Sequence, residues 1–275
     1  MEERNMTHPK DAQQYNTDRI REEYLVENLF VIDEIKTVYS YGDRMIIGGA
    51  YPKTSLNLTL IEVLKSEIFL ERREMGVINI GGPGIIIADG IEYTMDNKDG
   101  LYIGMGTKEI TFVSVDAENL SKFYFISTTA HCAYETSKIN HSDVDAMELG
   151  TQESSNQRIL YKYIHPDSIK SCQLLMGMTT LKPGSVWNSI PPHAHSNRSE
   201  VYLYFDLPEQ EVVFHFMGKP TQTRHILVKN EQAVISPYWS IHSGVGTKNY
   251  SFLWAMAGEN QLFSDANSIE LKDLK

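Results

Sequence analysis

Two histidines and a glutamate in the second half of the chain have the types and spacing of metal ligands. His193 and His195 are two residues apart, and Glu200 follows five residues after the second histidine. Residues 200–205 are rich in β-formers and predict a strand. Residues i and i+2 of a strand share a face, so both imidazoles point to one place, and the polar residues 196–199 bend Glu200 back towards it. Two imidazoles and a carboxylate suit a divalent first-row metal such as zinc or iron.

The spacing His-x-His-x4-Glu resembles the first motif of the cupins, a superfamily of small β-barrels. Cupins usually add a histidine from a later strand, five residues after a proline, and Pro237 precedes His242 by five residues here. Trp239 stands where cupins usually have glycine, which affects the shape of that loop and not the ligand types. A lone His-x-His pair is more commonly exposed and metal-free. The full set instead predicts one metal ion in a four-ligand site made by His193, His195, Glu200 and His242.

The composition is that of a globular protein. The chain has 275 residues, enough for two ordinary domains or one large one, with 41% hydrophobic and 22% charged residues. Its net charge of −11 argues against a nucleic acid or an anionic membrane as the main partner. The first 21 residues lack the apolar core of a signal peptide. Cys132 and Cys172 make no disulfide framework and are predicted to be small buried fillers, so we expect a cytoplasmic protein.

Short β-rich segments separated by turn residues recur from Phe30 onwards. This rhythm predicts an all-β fold of barrels, with a short helix within residues 17–27. The glycine-rich residues 78–84 lack the Lys-Ser/Thr of a phosphate loop and favour a tight turn.

Two polar stretches set the predicted organisation of the chain. Residues 69–74 predict a charged connection, and residues 135–157 predict a linker between two halves of similar architecture. We therefore predict two domains, residues 1–150 and 151–275. Only the second carries the metal ligands, since His131 and His141 lack ligand spacing; the first is expected to be metal-free and to serve packing or assembly.

Several other side chains are candidates for substrate contact. A substrate carboxylate can pair with a cation, and arginine does so bidentately, although each of these cations alone is more commonly a surface charge: the candidates are Arg224, Lys182 and Arg198. Tyr202 and Tyr204 share the face of Glu200 by strand alternation, so they either line the barrel interior or pack there with satisfied hydroxyls.

Each of the remaining aromatic candidates has two possible roles. His215 and His225 are predicted to be structural or to support the ligands. Trp187 and Trp239 wall the mouth of the pocket or belong to the core.

Long runs outside the ligand motif resemble one cupin family, the 5-keto-4-deoxyuronate isomerases (4-deoxy-L-threo-5-hexosulose-uronate ketol-isomerases). The similar runs are residues 48–52, 95–104, 214–218 and 240–252, within a resemblance that extends from residue 30 to residue 260. The resemblance implies two cupin barrels in one chain (a bicupin) with short helices, and a cytoplasmic homohexamer. It also implies one zinc ion per chain at His193, His195, Glu200 and His242.

The implied reaction belongs to pectin and uronate breakdown. It converts 5-dehydro-4-deoxy-D-glucuronate (4-deoxy-L-threo-5-hexosulose uronate) to 3-deoxy-D-glycero-2,5-hexodiulosonate, an intramolecular oxidoreduction of the aldose–ketose type. A ketol isomerisation passes through an enediol, which a zinc ion with an open position stabilises as a Lewis acid. The general base stays open between a metal-bound hydroxide and a side chain, and Glu200 is either a ligand alone or a ligand that also accepts a proton.

Two other functions stay open on the sequence. The same four ligands can hold Fe(II) with open positions, as in a cupin dioxygenase. A non-enzymatic sugar-binding cupin is the second alternative, although a scaffold has no need of a complete ligand set.

Overall fold

The structure, a computed structural model, describes residues 1–262 and 265–275. Two short helices lie near the N-terminus, α1 (Pro9–Ala12) and α2 (Thr17–Tyr24). Asn16 caps α2 by accepting a hydrogen bond from the Arg19 N–H at 2.9 Å. The helix predicted within residues 17–27 is therefore confirmed. Single 3-10 turns lie at Glu62–Leu64, His141–Asp143 and Leu271–Asp273. Across the described ranges, every helix is too short or too polar to cross a bilayer.

Strands make up most of the regular structure. In the first part of the chain they are β1 (Glu2–Arg4), β2 (Leu25–Val26), β3 (Ile35–Ser40), β4 (Met45–Ala50), β5 (Ser55–Asn57), β6 (Arg73–Asn79), β7 (Gly84–Ala88), β8 (Ile91–Met95), β9 (Gly100–Ile103), β10 (Ile110–Ser114), β11 (Phe123–Thr129) and β12 (Ser137–Ile139). They continue with β13 (Ala146–Leu149), β14 (Arg158–Ile164), β15 (Leu175–Leu181), β16 (Trp187–His195), β17 (Arg198–Phe205), β18 (Val213–Lys219), β19 (Gln222–Val228), β20 (Gln232–Ser236), β21 (His242–Gly246), β22 (Ser251–Gly258) and β23 (Ala266–Ser268).

The chain divides into two compact units. The first comprises Met1–Glu3, Asn28–Asp145 and Tyr163–Leu175. The second comprises Arg4–Glu27, Ala146–Lys162 and Met176–Lys275. Relative to the predicted domains, residues 1–150 and 151–275, the second unit thus includes an N-terminal segment and the first unit includes a segment from beyond residue 150.

Two sheets build the first unit. One has the strand order β1-β3-β4-β11-β6-β9-β12, and the other has the order β5-β10-β7-β8. Apolar side chains from both sheets fill the interior, and among the fully buried ones are Ile46, Met75, Phe112 and Phe125. This unit is held by a continuous hydrophobic core.

The second unit repeats this arrangement. Its sheets have the orders β13-β14-β15-β22-β17-β20-β2 and β19-β18-β21-β16-β23. Adding eleven to each strand number turns β4-β11-β6-β9 into β15-β22-β17-β20, and β5-β10-β7-β8 into β16-β21-β18-β19. The all-β, bicupin-like architecture predicted from the sequence is confirmed.

Residues 135–157, predicted to be a linker, contain the boundary between the two units at Asp145 and Ala146, but the prediction that they lack regular structure is wrong. They contain β12, a 3-10 turn and β13. β12 pairs with β9 in the register Lys138↔Leu101, and β13 pairs with β14 in the register Met147↔Leu160. These strands are short and lie at sheet edges, where polar side chains face solvent, so their composition resembles that of a loop.

The charged connection predicted for residues 69–74 is wrong at its C-terminal end. Arg73 and Glu74 begin β6 and are 4% and 0% exposed. Arg73 donates from Nε to the Ser127 hydroxyl at 3.1 Å and from Nη2 to the Ser127 carbonyl at 2.9 Å. Buried charges are tolerated when such partners satisfy them. The turn predicted for residues 78–84 is confirmed between β6 and β7; a Cβ on Gly82 would lie 1.9 Å from the Asn119 carbonyl oxygen.

Candidate metal centre

Three strands bring the predicted ligands together in the second unit. His193 and His195 lie on β16 and share a face by alternation. The chain then crosses from one sheet to the other, and Glu200 follows on β17. His242 opens β21, and the pairing of β16 with β21 sets it directly opposite His193. The bend predicted between the histidines and the glutamate is confirmed.

The four side chains converge on one point. Their ligand atoms all lie within 4.8 Å of one another. His242 Nε2 is 3.0 Å from His193 Nε2 and 3.0 Å from Glu200 Oε2, and His195 Nε2 is 3.4 Å from the same oxygen. Two ligand atoms that each lie about 2.1 Å from one ion at angles of about 90–109° are about 3.0–3.4 Å apart. The separations therefore fit four donors around one cation.

The outer nitrogens of two of the histidines have partners of their own. His195 Nδ1 lies 3.1 Å from Asp265 Oδ1, and His242 Nδ1 lies 3.2 Å from the Ser236 hydroxyl. With the proton on Nδ1, both Nε2 lone pairs face the shared centre, the tautomer that metal ligands require. Glu200 Oε2 is then buried among nitrogens that carry no hydrogen, and it lacks a hydrogen bond of acceptable geometry. A cation at the centre would satisfy it.

Burial and neighbouring charge shift the pKa values of two of these residues, His193 and Glu200. Burial, followed by the proximity of His242, lowers the pKa of His193 to about 3. Burial alone would raise the pKa of Glu200, but positive charge at the facing His242 and His195 rings, supplied by a proton when no cation is bound, outweighs it and holds that pKa well below its ordinary value. Neutral imidazoles and an ionised carboxylate are the forms that bind a divalent cation.

Asp265 contacts His195 on the side of the ring that faces away from the shared centre. The register of β23 against β16 pairs His195 with Ala266, which brings the preceding Asp265 next to the imidazole. Arg198, 1% exposed, forms an ion pair with Asp265. No spacing signal in the sequence marks Asp265, because it lies 70 residues from His195.

The centre opens into a cavity of about 250 Å³. His193, His195 and Glu200 line it together with Arg158, Thr179 and Tyr202. Arg158 opens β14 and is half-buried, with Nη1 donating to the Asn156 carbonyl at 2.9 Å. Arg158 was not predicted either, because its neighbours along the chain resemble those of any strand.

The chain matches the KduI/IolB family over residues 31–273. It belongs to that family. It is 56% identical to the 4-deoxy-L-threo-5-hexosulose-uronate ketol-isomerase of Lachnoclostridium phytofermentans and 54% identical to that of Caldicellulosiruptor bescii, each over the full length of both chains. At this similarity the KduI/IolB chain is an enzyme of the ketol-isomerase type, and the non-enzymatic alternative no longer holds.

Solved structures share the fold at low sequence identity. An IolB-like protein from Salmonella typhimurium has a TM-score of 0.72 and 15% identity, with 90% of this chain and 96% of that chain covered. An oxalate decarboxylase has a TM-score of 0.58 and 10% identity, with 82% of this chain and 71% of that chain covered. These similarities show the fold of the KduI/IolB chain, and its chemistry is inferred from the site residues.

The residues predicted to contact substrate lie at different places. Tyr202 lines the cavity of the metal centre. Tyr204 lies deeper, with its hydroxyl 2.7 Å from Nδ1 of the fully buried His215. Lys182 forms an ion pair with Glu148 at 2.8 Å.

Arg198 and Arg224 have protein partners of their own. Arg198 lies behind His195, against Asp265. Arg224 donates to the Gln13 carbonyl and lines a separate cavity beside α2. Of the five predicted substrate contacts, only Tyr202 lies among the described residues that line the cavity of the metal centre.

The other aromatic candidates lie outside that cavity. Trp239 is 6% exposed and donates to the Thr7 carbonyl at 3.1 Å, so it belongs to the core. Trp187 stacks on Phe216 with ring centroids 6.0 Å apart, beside a different cavity. His225 is exposed on β19.

The prediction that both cysteines are buried fillers is wrong. Cys132 and Cys172 are half-buried, and their sulfurs lie 3.6 Å apart. The segments that carry Cys132 and Cys172 are distant in sequence, so no local pattern predicts that they are in contact.

Proposed function

We propose that the chain is a zinc-dependent ketol-isomerase that converts 5-dehydro-4-deoxy-D-glucuronate to 3-deoxy-D-glycero-2,5-hexodiulosonate in uronate breakdown. The observation that carries this proposal is the meeting of three histidines and a glutamate at the wall of a cavity that also contains an arginine and a tyrosine. The names of the relatives that are more than half identical to the chain support the choice of substrate.

The metal site is proposed to consist of His193, His195, Glu200 and His242. Neutral imidazoles with one carboxylate leave a bound dication a net positive charge, and the donor set contains no sulfur. When bound, zinc supplies Lewis-acid polarisation of a carbonyl and its neighbouring hydroxyl. Asp265 and Ser236 keep the imidazoles in the tautomer that leaves Nε2 free for the metal.

Arg158 is proposed to bind the carboxylate of the substrate. It is the cation that lines the cavity with the metal ligands, and only one of its donor groups is directed to the Asn156 carbonyl. A guanidinium can hold a carboxylate bidentately, which fixes the sugar acid along one direction. The reacting end of the substrate is then directed towards the metal ligands.

Tyr202 is proposed to donate a hydrogen bond to a substrate oxygen. Burial, followed by the charge of Glu200, raises the pKa of Tyr202 well above its ordinary value. The phenol therefore keeps its proton at neutral pH. A neutral donor of this kind stabilises negative charge that develops on oxygen in the enediolate.

The assembly and the location of the enzyme are also proposals. We expect a cytoplasmic homohexamer whose partner is the small uronate and not a nucleic acid or a membrane. The net charge of −11 supports the absence of polyanionic partners. Symmetric homo-oligomers are the common state of soluble enzymes.

One experiment tests the reaction. The purified protein is incubated with the 4-deoxy-5-ketouronate in deuterated water, and the product is followed by NMR while dissolved oxygen is monitored. We expect conversion to the 2,5-hexodiulosonate, deuterium at the carbon that gains a proton, and no oxygen consumption. Oxygen uptake that matches turnover would instead support the iron dioxygenase, and full activity after exhaustive metal removal would reject every metal-based reaction at this site.

A further inference from the structure

A second group of ligand-type side chains lies in the first unit, apart from the centre described above. His131, Cys132 and Cys172 offer one nitrogen and two sulfurs that all lie within 4.8 Å of one another. The two sulfurs are 3.6 Å apart, and the Cys172 thiol donates to the Cys132 carbonyl at 3.3 Å. Soft sulfur donors together with an imidazole are ligands that select zinc and similar ions.

The distance between the sulfurs narrows the possible roles of this group. A disulfide requires an S–S distance of about 2.05 Å. Two thiolates that each bind one zinc at about 2.3 Å with tetrahedral angles are about 3.8 Å apart. The observed 3.6 Å fits the second arrangement. It also fits a thiol–thiol hydrogen bond, but that bond gives no role to the third donor, His131.

We propose that His131, Cys132 and Cys172 form a second metal site, selective for a soft divalent cation such as zinc or cadmium. Binding converts both thiols to thiolates and releases two protons to solvent. This site replaces the expectation that the first unit binds no metal.

A buried carboxylate holds the segment that carries Cys172. Glu74, 0% exposed, accepts backbone hydrogen bonds from Cys172 at 2.7 Å and from Gln173 and Leu174 at 2.9 Å each. It also accepts a hydrogen bond from the Tyr102 hydroxyl at 2.8 Å. One carboxylate thus fixes three consecutive residues, which places the Cys172 sulfur before any ion binds.

A second set of contacts joins that segment to the end of β11. The Gln173 side chain donates to the carbonyl of Thr129 at 2.8 Å and to its hydroxyl at 2.7 Å. His131 and Cys132 follow within three residues of Thr129. The segments that carry the ligands are therefore connected independently of the sulfurs, which lowers the entropic cost of binding. Exposed His131 beside half-buried cysteines leaves the site open to an ion from solvent.

Cobalt substitution tests the site in the full-length reduced protein. Co²⁺ bound by thiolates gives a sulfur-to-metal charge-transfer absorption that nitrogen and oxygen ligands do not give. We expect this band to titrate to one Co²⁺ per chain, to be displaced by Zn²⁺, and to vanish in Cys132→Ser and in Cys172→Ser. His131→Ala should weaken Co²⁺ binding by more than about tenfold, whereas His8→Ala, at another exposed histidine, should leave it unchanged.

Two controls separate this site from the isomerase centre. His193→Ala, in the sulfur-free centre of the second unit, should keep the full charge-transfer band, so failure of the proposed reaction does not affect the result. Circular dichroism and thermal melting confirm that the serine variants are folded. The proposal is overturned if the reduced wild-type protein gives no band at millimolar Co²⁺, if the band survives in both serine variants, or if His131→Ala binds as the wild type does.

Discussion

The two barrels share one strand order and differ in what fills them. In the first unit, Phe112 of β10 packs against Phe125 of β11 with ring centroids 5.8 Å apart, inside an apolar core. In the second unit the strand corresponding to β10 is β21, and it begins with His242 of the candidate metal centre. The same scaffold can therefore hold either a hydrophobic core or a site, depending on a few inward-facing positions.

The strands that correspond by order, β6 and β17, show the difference most directly. Each begins with a buried arginine, Arg73 or Arg198, and two residues later the first unit has Met75 where the second has Glu200. Burying a carboxylate is costly unless it is paired. In the second unit three histidines face Glu200, whereas Met75 needs no partner. Burying Glu200 is therefore tolerated only because the three histidines are present with it.

The largest effect is expected when Glu200 of the second barrel is replaced by methionine, the residue type at the corresponding position of the first barrel, Met75. Glu200→Met should abolish metal binding and lower kcat/KM by more than about a thousandfold, because Lewis-acid stabilisation contributes several kcal/mol. Elemental analysis and steady-state kinetics measure both losses. Met75→Leu, at the corresponding position of the first unit, is the matched control and should retain full metal content and activity. Near-normal turnover by Glu200→Met would refute the assignment of the centre.

The converse change tests the apolar interior. Phe112→Ala should lower the free energy of unfolding by about 3–5 kcal/mol, because it opens a cavity in a closely packed core. Urea denaturation measures the change, while the metal content of the second barrel should stay the same in the folded protein. Ile91→Ala, at a residue that is 59% exposed, should change stability by less than about 0.5 kcal/mol. Equal effects of the two substitutions would contradict the core described for the first unit.

A smaller effect is expected from Asp265, which contacts the proposed metal ligand His195. Asp265→Asn should weaken metal binding by about 10–100-fold, because His195 loses the carboxylate that orients its ring. Competition with a chromophoric chelator measures the affinity. Asp273→Asn, an exposed acid of the same unit, provides the control and should bind metal like the wild type. Unchanged affinity in Asp265→Asn would show that the ring is held without this contact.

The smallest effect concerns the first residues of β14 and of its counterpart β3. Arg158 opens β14, whereas Ile35 opens β3. Arg158→Ala should lower kcat/KM by about tenfold or more, because a charge-assisted hydrogen bond contributes about 1.5–3 kcal/mol. Arg158→Lys should recover part of the loss, since lysine keeps the charge without the bidentate geometry. Kinetics with the uronate measure both variants. If Arg158→Lys were no more active than Arg158→Ala, the need for arginine at this position would rest on its bidentate geometry and not on its charge.

The sequence by itself predicted that His193, His195 and Glu200 converge, because the rules involved are local, whereas His242, on a later strand, was indicated only by the resemblance to cupins. Alternation along a strand places His193 and His195 on one face, and a short polar turn returns Glu200 to them. The recurrence of β-rich segments likewise determined the all-β class. These inferences need only residues that are close together in the chain.

Tertiary structure alone decided which distant segments meet. Asp265 reaches His195 through the pairing of β23 with β16, and Cys172 reaches Cys132 through a segment held by the buried Glu74. Strand periodicity tells which face a side chain occupies, but it carries no information on the neighbouring strand or its register. Those are set by the packing of the whole barrel, so Arg158, Asp265 and the cysteine pair emerge only from the folded chain.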